Sequence, residues 1–122
     1  MSPKIFSGID LVEISRFRQL NPAIRKKFFE RVFTEDERGY IADSFQRAAG
    51  MFAAKEAVAK ALGCGIGSVS WQEIQIIHNS DKQPGVVLRG NAEEKARSLN
   101  IDQWSISITH TKETAAAIAV AV

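Results

Sequence analysis

The sequence predicts an α+β fold in which a small antiparallel sheet packs with helices. Three observations predict it: a strand-like N-terminal segment at 4–14, a long alanine-rich stretch at 44–62, and a C-terminal half in which short apolar runs alternate with turn residues. The chain has 122 residues, of which 45% are hydrophobic and 25% are charged. Since this composition is typical of one compact core, we expect a single domain spanning 1–122.

Branched and aromatic residues dominate the segment 4–14 and favour a β-strand there. The residues that follow, 15–31, predict one or two short helices. Asn21 precedes Pro22, and a residue before proline disfavours helical backbone. We therefore expect the helices to be interrupted at this point.

A capping box is predicted where Thr34 is followed three positions later by Glu37. The threonine hydroxyl can accept from the N–H of Glu37, while the glutamate reaches back to the N–H of Thr34. A short helix to about Ala42 follows, and then a long helix over 44–62. Gly63 is expected to adopt the left-handed conformation that ends this helix.

The second half is predicted to consist mostly of strands. Residues 71–78 alternate imperfectly between apolar and polar, the segment 79–85 supplies a turn, and 85–90 returns as the partner strand. Residues 91–99 predict a helix with Asn91 as its N-cap.

The last two strands, 103–109 and 114–122, are expected to form a hairpin. The second of them is apolar on both faces and carries no charge after Glu113. Such a strand has to be covered on both sides, so a second subunit is a plausible cover.

Composition excludes several classes of protein. The N-terminus lacks a targeting pattern and no apolar run approaches the ~18 residues that span a bilayer, so we expect a soluble cytoplasmic protein with no membrane partner. Cys64 is the sole cysteine. An internal disulfide and a zinc site built from cysteines are therefore excluded.

Basic residues cluster between positions 16 and 31, although the net charge is only +2. The cluster is Arg16, Arg18, Arg25, Lys26, Lys27 and Arg31, against the single acid Glu30. It is either a solvated helix face or a patch that attracts an acidic partner. A nucleic-acid partner is disfavoured because the segment lacks the glycine and aromatic signatures of the common RNA-binding modules.

Asp10 stands out because strand alternation places it on the same face as Phe6, Val12 and Ile14. Burial of an unpaired carboxylate costs several kcal/mol, so Asp10 should have a metal ion, a cation or hydrogen bonds. The alternative is a carboxylate that binds nearby backbone amides at an irregularity beside Gly8.

Glu56 presents a similar choice in the long helix, where Phe52, Glu56 and Lys60 follow one another at four-residue spacing. An exposed Glu–Lys pair is one interpretation. However, the surrounding alanines allow backbone or a ligand to approach closely. Mg²⁺ takes few protein carboxylates and fills its other positions with water and phosphate oxygens, so Asp10 and Glu56 together would suffice to hold it.

Three stretches carry a family resemblance. "GIDLVEISRF" at 8–17, "FAAKEAVAKALGCGIG" at 52–67 and "SISITHT" at 105–111 resemble, in order and spacing, the holo-acyl-carrier-protein synthase family of 4′-phosphopantetheinyl transferases. The resemblance covers essentially the whole chain. It implies transfer of the 4′-phosphopantetheine arm of coenzyme A to a serine of apo-acyl carrier protein, Mg²⁺ dependence, and a homotrimer with active sites between subunits.

The resemblance also implies roles for individual residues. Asp10 and Glu56 match the metal-binding carboxylates, and Lys60 matches a lysine beside the reacting phosphate. We expect Glu56 to act as the base through a metal-bound water and Lys60 to neutralise or protonate the leaving phosphate. His110 and Thr111 match residues near the nucleotide phosphates.

Further positions match family residues around the substrates. Gly63 and Gly65 match the loop beside coenzyme A; without the resemblance, these glycines would more often be a simple helix stop. Phe52 matches an aromatic residue of the pocket. Arg16 matches a contact with the carrier protein, which gives the basic cluster an acidic partner.

Two departures from the family pattern are Met51, where an arginine is frequent, and Phe6, where a glycine is usual. Both bear on the affinity for coenzyme A or on the choice of carrier. Fatty acid biosynthesis is the expected role of the product. The alternatives are the same transfer to a polyketide or other secondary carrier, and a non-catalytic module that binds coenzyme A or a protein partner.

Overall fold

The computed structural model of the chain describes residues 4–81 and 83–122. In chain order the elements are β1 (Phe6–Glu13), α1 (Ser15–Arg18), α2 (Pro22–Val32), α3 (Glu35–Ile41), α4 (Phe45–Ala61), a 3₁₀ turn (Trp71–Glu73), β2 (Ile74–His78), β3 (Pro84–Leu88), α5 (Gly90–Ser98), β4 (Trp104–His110) and β5 (Thr114–Ala121). The predicted α+β class, with a small antiparallel sheet packed with helices, is confirmed.

Strand β5 is the centre of a three-stranded antiparallel sheet whose order is β1-β5-β4. Ala117 of β5 lies opposite both Asp10 of β1 and Ile108 of β4. Strands β2 and β3 pair separately as a two-stranded antiparallel sheet. The core lies between α4 and one face of the three-stranded sheet, and it is rich in alanine because the two layers approach closely.

The two layers approach closely at Gly8 of β1. A Cβ atom added there would collide with the carbonyl of Ala57 and would lie 2.8 Å from the backbone nitrogen of Ala61. Strand alternation then turns Asp10 towards the same helix, with Val12 buried two positions further on. The predicted face of β1 is therefore confirmed.

Local sequence signals set the helix ends as predicted in the first half of the chain. The side chain of Asn21 accepts from Ala23 N at 2.9 Å, and Pro22 opens α2. Thr34 and Glu37 form the reciprocal capping box at the start of α3. Gly63 follows α4 with φ of 75°.

Two predictions in the second half are wrong. The strand predicted over 71–78 begins only at Ile74, because Trp71–Glu73 form a 3₁₀ turn. Asn91 is not the N-cap of α5 but lies inside the helix, and Arg89 occupies the cap position. The carboxylate of Glu73 accepts from Asn91 N at 2.6 Å, so a side chain from another element satisfies the helix end.

The turn predicted over 79–85 includes Lys82, which lies outside the described residues. Its two flanking strands pair as predicted.

The face of the three-stranded sheet that points away from α4 is apolar and open. Ile9, Leu11 and Ile118 are 65%, 70% and 40% exposed. Together with Ala116 and Val120 they form what we call the outer sheet face. In the part of the chain that the structure describes, no helix is long and apolar enough to cross a bilayer.

Candidate active site

Asp10 and Lys60 form an ion pair between β1 and α4. Lys60 Nζ lies 3.1 Å from Asp10 Oδ1 and donates to the Ile9 carbonyl at 2.9 Å. The side chains are 51% exposed for Lys60 and 18% exposed for Asp10. An ammonium has three N–H donors, and acceptors among the described residues use two of those of Lys60, which leaves one that could bind a ligand.

Glu56 lies one helical turn before Lys60 and is partly buried. Burial raises the pKa of the Glu56 carboxyl, and the negative charge of Asp10 raises it further, while Lys60 and Arg16 lower it. These charges identify the immediate surroundings of Glu56: a second carboxylate and two cations. Within the described residues Lys60 forms its ion pair with Asp10, so the simple exposed pair between Glu56 and Lys60 is absent.

The two carboxylates constitute an incomplete set of metal ligands. Across residues 4–81 and 83–122, no group of three or more His, Cys, Asp or Glu side chains is arranged to hold a metal ion. Two carboxylates are the number that Mg²⁺ commonly takes from a protein when substrate phosphates and water supply the rest. The donor chemistry therefore fits Mg²⁺ better than a metal that requires a full protein cage.

Arg16 lies at the edge of this cluster, on α1. Its guanidinium carbon is 5.8 Å from the centre of the Phe52 ring. Phe52 is only 7% exposed and packs against Phe17, Phe28 and Trp71. The face of the Phe52 ring thus lies near the Arg16 guanidinium. Direct contact between Phe52 and coenzyme A stays a prediction.

Arg25 of the basic cluster is used internally. Its guanidinium donates to the carbonyls of Phe17 and Leu20 at 3.2 and 3.3 Å, near the end of α1. The ring of Phe45 lies 4.9 Å from its guanidinium carbon. Arg25 therefore holds α1 against neighbouring helices, and the cluster contains a structural cation as well as surface ones.

The glycine loop after α4 turns back on the helix end. Cys64 N and Gly65 N both approach the Ala59 carbonyl at 3.4 Å, and Gly63 N donates to the Lys60 carbonyl. Gly65 has φ of 64°, a conformation that favours glycine. A Cβ added at Gly63 or Gly65 would meet no atom within 4 Å, so the glycines are required by backbone conformation and leave the loop open.

His110 and Thr111 lie at the hairpin between β4 and β5. The hydroxyl of Thr111 accepts from the backbone of Glu113 and Thr114 at 3.3 and 3.1 Å. His110 lines a cavity of about 240 Å³, to which Asp10, Glu56 and Lys60 do not contribute. His110 therefore does not share this cavity with the other predicted site residues Asp10, Glu56 and Lys60.

A family model described as the 4′-phosphopantetheinyl transferase superfamily matches residues 7–120. The chain belongs to this superfamily. Holo-[acyl-carrier-protein] synthase of Caldanaerobacter subterraneus subsp. tengcongensis is 42% identical over 122 residues, covering 98% of this chain and 95% of that protein. Its counterpart in Alkaliphilus metalliredigens is 46% identical over 119 residues, with 93% and 95% covered. The family resemblance predicted from the sequence is confirmed.

A solved structure of this family supports the fold. The crystal structure of Helicobacter pylori holo-[acyl-carrier-protein] synthase in complex with coenzyme A matches with a TM-score of 0.86 and 35% identity. The match covers 95% of this chain and 99% of the crystallised one. That complex contains coenzyme A, the substrate that the family resemblance of the sequence implies.

A buried ion pair that the sequence motifs do not reveal lies beside Glu56. Lys55 Nζ lies 2.7 Å from Glu37 Oε1, and neither side chain is exposed. Burial lowers the pKa of Lys55, while the Glu37 carboxylate opposes this shift. A lysine within a run of buried alanines was the available signal, because a charge in such a run needs a partner.

The sequence motifs do not reveal the wall of the His110 cavity either. Tyr40 and His78 stack with ring centres 3.9 Å apart, and the Arg47 guanidinium lies 4.9 Å from the Tyr40 ring. Burial lowers the pKa of His78, and the charge of Arg47 acts in the same direction. Met51 lines this cavity too. Met51, one of the two departures from the family pattern, thus lies beside the stacked rings of Tyr40 and His78 and the Arg47 guanidinium.

Proposed function

We propose that the chain transfers the 4′-phosphopantetheine arm of coenzyme A to a serine hydroxyl of apo-acyl carrier protein, giving the holo carrier and releasing adenosine 3′,5′-bisphosphate. The observation that carries this proposal is the meeting of Asp10, Glu56 and Lys60 where β1 crosses α4. Two carboxylates and a lysine with a spare donor suit a pyrophosphate substrate. The named activity of the relatives supports the same conclusion.

Asp10 and Glu56 would hold Mg²⁺ at this site. Each comes from a different element, and the carboxylates lie close enough for the charge of Asp10 to raise the pKa of Glu56. A bound divalent cation would neutralise charge on the phosphate oxygens and so favour their attack by an oxygen nucleophile. The remaining coordination positions suit water and phosphate.

Glu56 and Lys60 have separate roles in the proposed reaction: Glu56 takes up a proton, and Lys60 stabilises the leaving group. The serine oxygen forms a bond to the β-phosphorus of coenzyme A, and the bond from that phosphorus to the bridging oxygen breaks. Glu56 would accept the serine proton through a water, because serine is a poor nucleophile until a base removes its proton. Lys60 directs its third N–H towards the departing phosphate and neutralises or protonates it.

The nucleotide end of coenzyme A requires residues outside this cluster. We propose that the loop of Gly63 and Gly65 accommodates the substrate beside Lys60, and that Phe52 contributes to the pocket. His110 and Thr111 would approach the nucleotide phosphates from a neighbouring subunit. The cavity that His110 lines includes none of Asp10, Glu56 and Lys60, which is compatible with an active site built from two subunits.

A homotrimer would bury the outer sheet face. Exposed Ile9, Leu11 and Ile118 form a contiguous apolar surface of the kind that monomers rarely leave open. A closed ring of identical subunits around this face would cover β5 on its second side. Sedimentation of the purified protein at several concentrations tests this assembly, and a monomer at micromolar concentration would contradict it.

The carrier protein would dock beside Arg16. Its guanidinium lies at the edge of the cluster, supported by the Phe52 ring, where an acidic surface could bring a serine to Glu56. We propose a fatty-acid-type carrier as the partner, a single catalytic domain over 1–122 and action in the cytoplasm.

Mass spectrometry of an apo carrier tests the whole proposal. The carrier is incubated with the protein, coenzyme A and Mg²⁺, and the phosphopantetheine mass is sought on its serine. The Glu56→Gln variant is the matched control, since it keeps the shape of the side chain and loses the carboxylate. Transfer by the wild type and a loss of orders of magnitude in the variant support the proposal. No mass gain on any of a panel of fatty-acid, polyketide and secondary carriers would exclude it, and transfer restricted to a secondary carrier would replace the fatty-acid partner.

A further inference from the structure

The buried pair of Lys55 and Glu37 makes an unusually complete set of hydrogen bonds. Lys55 Nζ donates to the Trp71 carbonyl at 2.8 Å, to the Ile74 carbonyl at 2.6 Å and to Glu37 Oε1 at 2.7 Å. An ammonium has three donors, so all of them are used. The acceptors come from the 3₁₀ turn, the first residue of β2 and helix α3, which surround α4 on the side away from β1.

Glu37 is bonded just as fully. Its Oε1 accepts from Thr34 N at 2.8 Å, and its Oε2 accepts from Ile76 N at 2.8 Å. The carboxylate therefore joins the start of α3 to β2 while it holds Lys55. Every partner is a backbone group or the opposite charge, so the position of the Lys55 ammonium is defined by three separate segments.

Stability alone does not account for such a pair. A buried ion pair is often no more stabilising than apolar side chains of the same volume, because both charges lose their hydration. The pair instead fixes a position, because three acceptors at fixed points allow only one placement of the Lys55 ammonium. The rest of the buried surface of α4 is mostly alanine, as at Ala48, Ala49, Ala53, Ala54, Ala57 and Ala59. Alanine side chains are short and interlock little with neighbouring elements, so they resist rotation or sliding of the helix only weakly.

Glu56 depends on the rotation of this helix. It follows Lys55 directly, so it projects about 100° further round the helix. A rotation of about 20° would move an atom about 5 Å from the helix axis by about 2 Å. A shift of 1 Å in a reacting group can cost about 10²-fold in rate. On the opposite side of α4, the close packing of Gly8 against the helix backbone and the ion pair between Lys60 and Asp10 restrain the helix against β1.

We propose that Lys55 and Glu37 are positioning residues, which fix the rotation and axial position of α4 so that Glu56 is held facing Asp10 in the transfer reaction. This inference rests on the proposed function. Neither residue touches the substrates, and both act through the helix that carries Glu56 and Lys60. Their removal should therefore reduce turnover more than it reduces substrate binding.

The double variant Lys55→Met/Glu37→Gln tests the inference. It removes both charges, keeps the length of the Glu37 side chain and nearly that of Lys55, and leaves one carbonyl oxygen at position 37 for a backbone N–H group. At a temperature where circular dichroism shows the protein fully folded, we expect kcat to fall about 10²-fold and KM for coenzyme A to stay within threefold. The matched control is Gln75→Leu/Arg89→Met, which removes the 2.5 Å hydrogen bond between β2 and the start of α5 and the longer 3.4 Å bond from Gln75 to Asp36 of α3, and leaves Lys55 and Glu37 unchanged. Its kcat should stay within twofold of the wild type.

Several outcomes would overturn the inference. A folded double variant with kcat within threefold of the wild type would do so, because a merely structural pair lowers the melting temperature without changing the turnover of folded molecules. An equal loss of kcat in the control would do so too. If the double variant fails to fold, Glu37→Gln decides instead: a tenfold loss of kcat supports the inference and a loss under twofold overturns it. No transfer by the wild type would overturn the proposed function and this inference together, whereas wild-type transfer with unaffected variants would overturn the inference alone.

Discussion

Helix α4 carries two ion pairs whose surroundings are opposite. Lys55 and Glu37 have no exposed side-chain surface, and each makes its full set of bonds inside the protein. Lys60 and Asp10 are 51% and 18% exposed, and acceptors among the described residues use only two of the three Lys60 donors. The same chemical pairing therefore serves two purposes, because one pair is already saturated and the other can still bind a ligand.

The difference follows from what lies against each side of the helix. On the side of Lys55, backbone carbonyls of the 3₁₀ turn and β2 point inwards and require a donor. On the side of Lys60, β1 approaches the helix closely at Gly8, and the lysine side chain lies half exposed beside Asp10. Backbone geometry thus decides which charges are structural and which remain available for chemistry.

Breaking the exposed pair should have the largest effect on activity and little effect on stability. In Asp10→Asn, one of the two proposed metal carboxylates is lost, and we expect kcat/KM for coenzyme A to fall about 10³-fold, or about 4 kcal/mol of transition-state stabilisation. The free energy of unfolding should change by less than about 1 kcal/mol, since partly exposed ion pairs contribute little. Steady-state kinetics and urea denaturation of the same sample measure both. A variant that loses stability but keeps its turnover would reverse the assignment of the two pairs.

Breaking the buried pair should cost more stability than breaking the exposed pair. Lys55→Met leaves the Glu37 carboxylate buried without its cation, which typically costs about 3–5 kcal/mol. We expect a loss of this size in the free energy of unfolding, measured by urea denaturation, whereas Lys60→Met should lose about 1 kcal/mol or less. Equal losses in the two variants would show that burial does not distinguish the pairs.

The contrast between the pairs also separates what the sequence can reveal from what it cannot. Asp10, Glu56 and Lys60 lie in local motifs, where strand alternation and helical spacing place each side chain on a face. The capping box of Thr34 and Glu37 is equally local, and the structure confirms it. Such features are predictable because they depend on residues close together along the chain.

The second bond of Glu37 was not predictable in this way. Its partner Lys55 lies 18 positions further along the chain, and only the packing of α3 against α4 brings the two together. The cap of α5 failed as a prediction for the same reason, since Glu73 of the 3₁₀ turn supplies the acceptor that Asn91 was expected to supply. Contacts between distant elements require the fold itself.

The approach of β1 to α4 can be tested at Gly8. In Gly8→Ala the added methyl group would collide with the Ala57 carbonyl and lie 2.9 Å from Lys60 Cβ. We expect a loss of about 1–3 kcal/mol in the free energy of unfolding, as is typical of overpacking. Turnover should also fall, since Asp10 moves away from α4 with the strand. The control is Gly39→Ala in α3, where an added Cβ would meet no atom within 4 Å and stability should be unchanged or slightly higher.

The smallest expected effect is on the melting temperature, which the Glu56 carboxylate should lower at neutral pH. Burial first, and then the charge of Asp10, raises the pKa of Glu56 above its ordinary value of 4.5. The folded state therefore binds this proton more tightly than the unfolded state does, and the stabilisation that results is present below pH 4.5 and lost as pH rises through the raised pKa. At pH 7, without metal, Glu56→Gln should melt at a higher temperature than the wild type, and the gap should close as the pH falls towards 4.5.

Mg²⁺ with coenzyme A should then raise the melting temperature of the wild type more than that of the variant, because the carboxylate contributes to ligand binding. If Glu56→Gln melts below the wild type at pH 7 without ligands, the carboxylate is a structural group, and the contrast between a saturated pair and an available one does not extend to Glu56.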